Sequence, residues 1–136
     1  MAGYSATPLA KKLGLKAPMA LVAIGAPQEY LAWLGELPAG VQLVSTSSKP
    51  IQAAHVFVTK RAVLKKNLVT FRKQLEQNGF VWVSWPKKAS KVETDITEDT
   101  IREIALPLGF VDIKVCAVSD VWSGLKLVIR KNERTA

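Results

Sequence analysis

The sequence predicts an α/β protein: a three-layer open sheet, mostly parallel, ending in an antiparallel C-terminal hairpin. Three observations lead there. Apolar runs alternate with amphipathic segments from Met19 to Leu108. Runs such as MALVAIG are continuous rather than alternating, as strands covered on both faces are. The last two runs, VDIKVCAV and GLKLVIR, are separated only by SDVWS, short enough for a hairpin.

Taken in order, SATPLAKKLGLKAP reads as a short helix. Ser5 or Thr7 can cap it, Pro8 suits its first turn and Gly14 its end. MALVAIG is the first buried strand. A helix over 27–36 follows, with Pro27 near its start and Tyr30, Leu31 and Leu34 on one side. VQLVS is the second strand, TSSKPIQA a polar connection and AHVFVTK the third strand. In the helix predicted over 61–77, Leu64, Leu68, Phe71 and Leu75 form a narrow apolar stripe, and Asn78-Gly79 terminates it. FVWVSW is the fourth strand and stops at Pro86. Thr97 caps the next helix, where Glu98 and Asp99 favour the dipole. Ile101, Ile104, Ala105 and Leu108 form its buried face, and Pro107 with Gly109 closes it.

The 136 residues suit one domain, 1–136, with 1–17 as an N-terminal helical extension. An apolar content of 49% excludes a disordered chain. The single Cys116 cannot form an intramolecular disulfide and reads as a small buried hydrophobe. No signal-peptide pattern opens the chain, and no apolar run approaches the ~20 residues of a membrane span. The expectation is a soluble, cytoplasmic protein with no membrane partner. The net charge of +8 is concentrated: residues 37–92 hold ten basic residues and one acid, Glu76. A basic middle can be a solvated surface or can face a polyanion.

The order of elements from Ala54 to Arg130 resembles the second half of a class I methyltransferase, a Rossmann-like fold. The first half resembles the start of that fold with one strand-helix unit missing before Ala54. The segments GYSATPLAKKLG, VSWPKKAS, REIALPLGFVDIKVCAV and WSGLKLV are similar to those of a bacterial family of small proteins of unknown function. That second resemblance implies no activity to carry over.

The methyltransferase resemblance implies a test. Such enzymes hold S-adenosylmethionine at a Gly-rich turn after the first strand and an acid ending the second. Here the turn is IGAPQEY: Gly25 stands alone before Ala26 and Pro27, and Pro27 removes one backbone donor. The second strand ends in Ser45 and Thr46, without a carboxylate. Only Glu29 is near enough to substitute. The sequence argues against S-adenosylmethionine. It also argues against other chemistry: no metal-ligand spacing, no P-loop and no GxGxxG occur. Cys116 lies inside a strand run, His55 begins one, and the acids Glu93, Asp95, Glu98 and Asp99 suit solvation and capping.

Two features remain as a candidate site. The loop Trp85-Pro86-Lys87-Lys88-Ala89-Ser90-Lys91 leaves the carboxyl end of the fourth strand, the edge where open sheets keep ligands. The turn Trp122-Ser123-Gly124 is expected on the same edge. Gly25, Ala26, Glu29, Trp85, Lys87, Lys88, Ser90, Trp122 and Ser123 are therefore the candidate ligand residues. Tryptophan faces stack on flat groups, and lysines hold phosphate or carboxylate. Strand alternation puts Trp82 and Ser84 on one face, and Val81, Val83 and Trp85 on the other. The first reading is a non-catalytic or degenerate methyltransferase-like domain binding a small anionic ligand or a protein partner. A methyltransferase with a non-standard cofactor site is the second. A nucleic-acid module using Lys60, Arg61, Lys65, Lys66, Arg72 and Lys73 is the third, although that helix lacks interleaved exposed aromatics.

Overall fold

A computed structural model describes residues 8–44 and 50–134. The expected capping by Ser5 or Thr7, and the end of the second strand at Ser45 and Thr46, lie outside the described residues. The elements are α1 (Leu9–Leu13), β1 (Met19–Ile24), α2 (Tyr30–Leu34), β2 (Val41–Val44), β3 (Ile51–Phe57), α3 (Arg61–Gln74), β4 (Leu75–Pro86), α4 (Glu98–Ala105), β5 (Phe110–Ala117) and β6 (Trp122–Ile129). The strands form one sheet ordered β2-β1-β3-β4-β6-β5. The first four run parallel, and β6 pairs antiparallel with both β4 and β5. This is the open, mostly parallel sheet with a C-terminal hairpin that the order of runs predicts.

Alternation along the strands divides the interior into two layers. Ala54, Val56, Val81, Val83, Trp85, Leu125 and Leu127 meet Leu64, Leu68 and Phe71 of α3, together with Ile101 and Ala105 of α4. Leu21, Ala53, Phe57, Phe80 and Trp82 face Leu9, Ala10 and Leu13 of α1 and Tyr30 and Leu34 of α2. Trp82 is fully buried there, and its indole Nε1 donates to the carbonyl of Leu13 at 2.9 Å. One side chain thus fills the core and fixes the end of α1, where Gly14 closes the helix at φ 78°.

Four boundaries differ from the sequence reading. Helix α2 is one turn rather than 27–36: residues 27–30 form a separate turn, closed by the Tyr30 amide donating to the Pro27 carbonyl at 3.0 Å, and Gly35 at φ 69° ends the helix. Tyr30 and Leu34 are buried at i and i+4, whereas Leu31 is 64% exposed. With so short a helix above it, β1 buries only Leu21 and Val22 and leaves its ends half-buried. Strand β3 begins at Ile51 rather than Ala54. The polar Gln52 is accommodated because its Oε1 accepts the Ala20 amide at 2.8 Å.

Helix α3 stops at Gln74. Leu75 turns extended and pairs with Ile51, and the register then jumps to Ala53 opposite Phe80. Asn78-Gly79 therefore lies in this irregular start of β4. Gly79 is required there, since a Cβ would stand 2.8 Å from the carbonyl oxygen of Gln52. The hairpin turn is 118–121, and Trp122-Ser123-Gly124 belongs to β6, paired with Pro86, Trp85 and Ser84. The Ser119 hydroxyl closes that turn by accepting the amides of Val121 and Trp122, both at 3.2 Å.

Candidate functional site

Strand β1 lies between β2 and β3, so the chain reverses its strand order at the carboxyl ends of β1 and β3. Gly25 leaves β1 there at φ 71°, and a Cβ on it would stand 2.7 Å from the carbonyl oxygen of Phe57. Only glycine fits, because the turn leans directly on the end of β3. A cavity of about 430 Å³ opens over the ends of β1 and β2, walled by Ala23, Ala26, Pro27, Tyr30, Leu31 and Leu43. No carboxylate lines it, so its described walls lack the acid that would hold ribose hydroxyls; Gln28 is the polar side chain that remains exposed there. The Glu29 side chain is exposed and makes no cap bond to α2.

The lysine loop stands at the carboxyl edge of β4, as expected. Its own turn uses up Ser90, whose Oγ donates to the Lys87 carbonyl at 2.6 Å and accepts the Val92 amide at 3.3 Å. The Lys87 amide donates to the Val121 carbonyl at 2.7 Å and ties this loop to the hairpin turn. Lys88 and Lys91 are exposed.

The sheet separates the candidate residues. Trp85 pairs with Ser123 and Pro86 with Trp122. Trp85 enters the α3/α4 layer and Trp122 packs against the α1/α2 layer. Trp122 meets the ring of Phe57 edge-on at 5.1 Å, and Phe57 in turn touches the Gly25 turn. Gly25 and Trp122 thus converge on one face. On the other face Trp85, Lys88, Lys91, Glu93, Thr97 and Glu98 line a cavity of about 560 Å³. The side chain of Arg102 hydrogen-bonds to Glu98, Asp99 and Asp112, and Glu93 is the second acid in the cavity wall. Thr97 Oγ1 accepts the Thr100 amide at 3.2 Å and caps α4 as predicted.

Sequence reasoning missed a buried polar network. His55 Nδ1 lies 2.9 Å from the Tyr30 hydroxyl, and its Nε2 lies 2.7 Å from Ser84 Oγ. The imidazole stacks on Phe57 at 4.3 Å and is fully buried. Burial pushes its pKa down to about 3 and drives the Tyr30 phenol up. Neutral His55 then donates through one nitrogen and accepts through the other. Cys116 is half-buried rather than buried, since β5 is an edge strand.

The cations of α3 divide as well. Arg61 reaches Glu103 at 3.5 Å, and the Arg61 amide is capped by Asp95 Oδ1 at 2.7 Å. The guanidinium of Arg72 donates to the Leu108 carbonyl at 3.0 Å and faces Glu133. Lys60, Lys65, Lys66 and Lys73 are exposed. Among the described residues no group of three or more His, Cys, Asp or Glu could hold a metal, and no helix is long and apolar enough to cross a membrane.

The family described as "Protein of unknown function (DUF3052)" matches residues 57–131. No curated protein matches the chain. Solved structures similar to it include a SAM-dependent methyltransferase from Aquifex aeolicus, with a TM-score of 0.58 at 14% identity, covering 90% of this chain and 88% of that one. A TehB-like SAM-dependent methyltransferase from Corynebacterium glutamicum gives 0.57 at 9% identity, covering 95% and 91%. The Methanococcus jannaschii fibrillarin pre-rRNA processing protein gives 0.56 at 12%, covering 98% and 72%. At such identities these likenesses establish the fold: a methyltransferase-like Rossmann sheet.

Proposed function

The chain belongs to the DUF3052 family of unknown function, and from that premise we propose a non-catalytic methyltransferase-like domain that binds a small anionic ligand beside β4. The observation that carries this reading is the cavity of about 560 Å³ joining Trp85, Lys88 and Lys91 to the first turn of α4. It lies at the sheet edge where α/β proteins bind ligands, and its size suits a small molecule. Trp85 supplies a flat apolar wall. Lys88 and Lys91 supply charge; neither forms an ion pair among the described residues, although Glu93 and Glu98 share the wall. A carboxylate or phosphate placed there would meet two ammonium groups and the cap of a helix.

A thermal-shift screen of anionic metabolites tests this reading, run on the wild type and on Lys88→Ala with Lys91→Ala. At least one anion should stabilise the wild type and lose its effect in the double variant. Identical profiles for the two proteins would sink it.

A second reading, a methyltransferase with a non-standard cofactor mode, draws support from the cavity over the ends of β1 and β2. The described residues there do not fit S-adenosylmethionine well: one glycine, a proline at the helix start and no acid in the wall. Catalysis is therefore the weaker of the two readings.

A further inference from the structure

A third cavity, of about 630 Å³, opens at the opposite edge of the sheet, where β1, β3 and β4 begin. Lys11, Lys16 and Lys126 line it, and Glu76 is its one acid. Its construction starts in the β5–β6 register, which sets Lys114 directly opposite Lys126. Like charges in that relation repel. Lys126 also pairs with Trp82 across β4 and so faces the α1/α2 layer. There its half-buried ammonium sits 4.3 Å from the centre of the Phe80 ring. The end of α1 makes room for it: a Cβ on Gly14 would stand 3.3 Å from Lys126 Nζ.

No carboxylate lies within ion-pair distance of Lys126 among the described residues. Burial first, then the charges of Lys114 and Lys16, pull its pKa below the ordinary lysine value. A half-buried cation held beside two like charges is an arrangement that a bound anion would relieve.

We propose that this cavity binds a small hydroxylated phosphate monoester, its dianion held by Lys126, Lys16 and Lys11. Lysines act on phosphate as point charges, and three of them match a doubly charged group. The remaining walls suit an organic part. Phe80, Leu15 and Met19 are apolar, while Asn78, Gln52 and Glu76 can hydrogen-bond hydroxyls. This site lies across the sheet from the β4 cavity and does not depend on it.

Melting temperature at fixed ionic strength tests the assignment, with inorganic phosphate, ribose 5-phosphate and ribose as probes. Both phosphates should raise the wild-type midpoint, ribose 5-phosphate by about 3 °C or more near saturation, and ribose should not. Lys126→Met, which keeps an unbranched stem over Phe80, should abolish the rise, whereas Lys65→Met with Lys66→Met should retain it. Amide NMR of the wild type gives a reading that needs no variant: ribose 5-phosphate should shift Gly14, Leu15 and Asn78 together. The assignment is overturned by no response to either phosphate, or by a response that survives Lys126→Met. It is equally overturned by Lys126-dependent binding of an oligonucleotide without terminal phosphate when the monoesters give no response.

Discussion

His55 Nε2 lies 2.7 Å from Ser84 Oγ, a serine-histidine contact between adjacent strands β3 and β4. The distance is that of an activated nucleophile, but both residues are fully buried. No substrate reaches them. With Tyr30 the pair links α2, β3 and β4 through groups whose hydrogen bonds substitute for lost water.

This burial sets a pH dependence. Unfolded histidine titrates near 6.5, whereas folded His55 is pushed down to about 3. Below 6.5 the unfolded chain binds a proton that the folded chain refuses, so stability falls as pH drops from 6.5 toward 3. The His55 contribution to that loss is about 2 kcal/mol at pH 5. Urea midpoints of the wild type and His55→Gln at pH 7 and pH 5 check it. The variant should be less stable at pH 7 and nearly flat between the two.

Gly25→Ala should destabilise the fold by about 1–3 kcal/mol, from positive φ and a forced approach to a carbonyl. The clash would be with the Phe57 oxygen, 2.7 Å from the new Cβ. Gly35→Ala provides the contrast, since nothing lies within 4 Å of its Cβ position and only the φ of 69° opposes it. Denaturant curves of the two variants separate backbone strain from collision.

Arg61 and Arg72 of α3 are already engaged by Glu103, Leu108 and Glu133, so the exposed Lys65, Lys66 and Lys73 of the helix, with Lys60 just before it, remain for a polyanion. Duplex DNA should bind with an ordinary non-specific Kd, about 10⁻⁴–10⁻⁶ M at physiological salt. Fluorescence anisotropy over a salt series checks this. A submicromolar, sequence-dependent Kd would restore the nucleic-acid reading.

The Cys116 thiol is pushed up by burial, partly offset by Lys12 and Lys114. It should react with a disulfide reagent at pH 7.5 more slowly than glutathione does, and faster once urea unfolds the chain. Timed absorbance assays in both conditions measure the difference.

The sheet was legible because its strands are continuous apolar runs and its hairpin connection is short. Boundaries were less so, since they depend on partners distant in sequence. Ile51 becomes strand only because Leu75 pairs with it, and α3 is capped by Asp95 rather than by a neighbour. Alternation rightly sent Trp82 and Trp85 to opposite faces. It could not reveal that Trp122 already stands in β6 opposite Pro86, which divides the expected pocket in two. The network around His55 and the cluster around Lys126 had no local signal. Each is assembled across strands, by a register that no single segment encodes.

The ligand proposed for this methyltransferase-like sheet sits at β4 rather than at the cofactor turn. Amide NMR during titration with S-adenosylhomocysteine tests it most directly. The resonances of Gly25, Ala26 and Glu29 should keep their positions up to millimolar ligand. Saturable shifts at those three residues, with a Kd in the micromolar range, would contradict it.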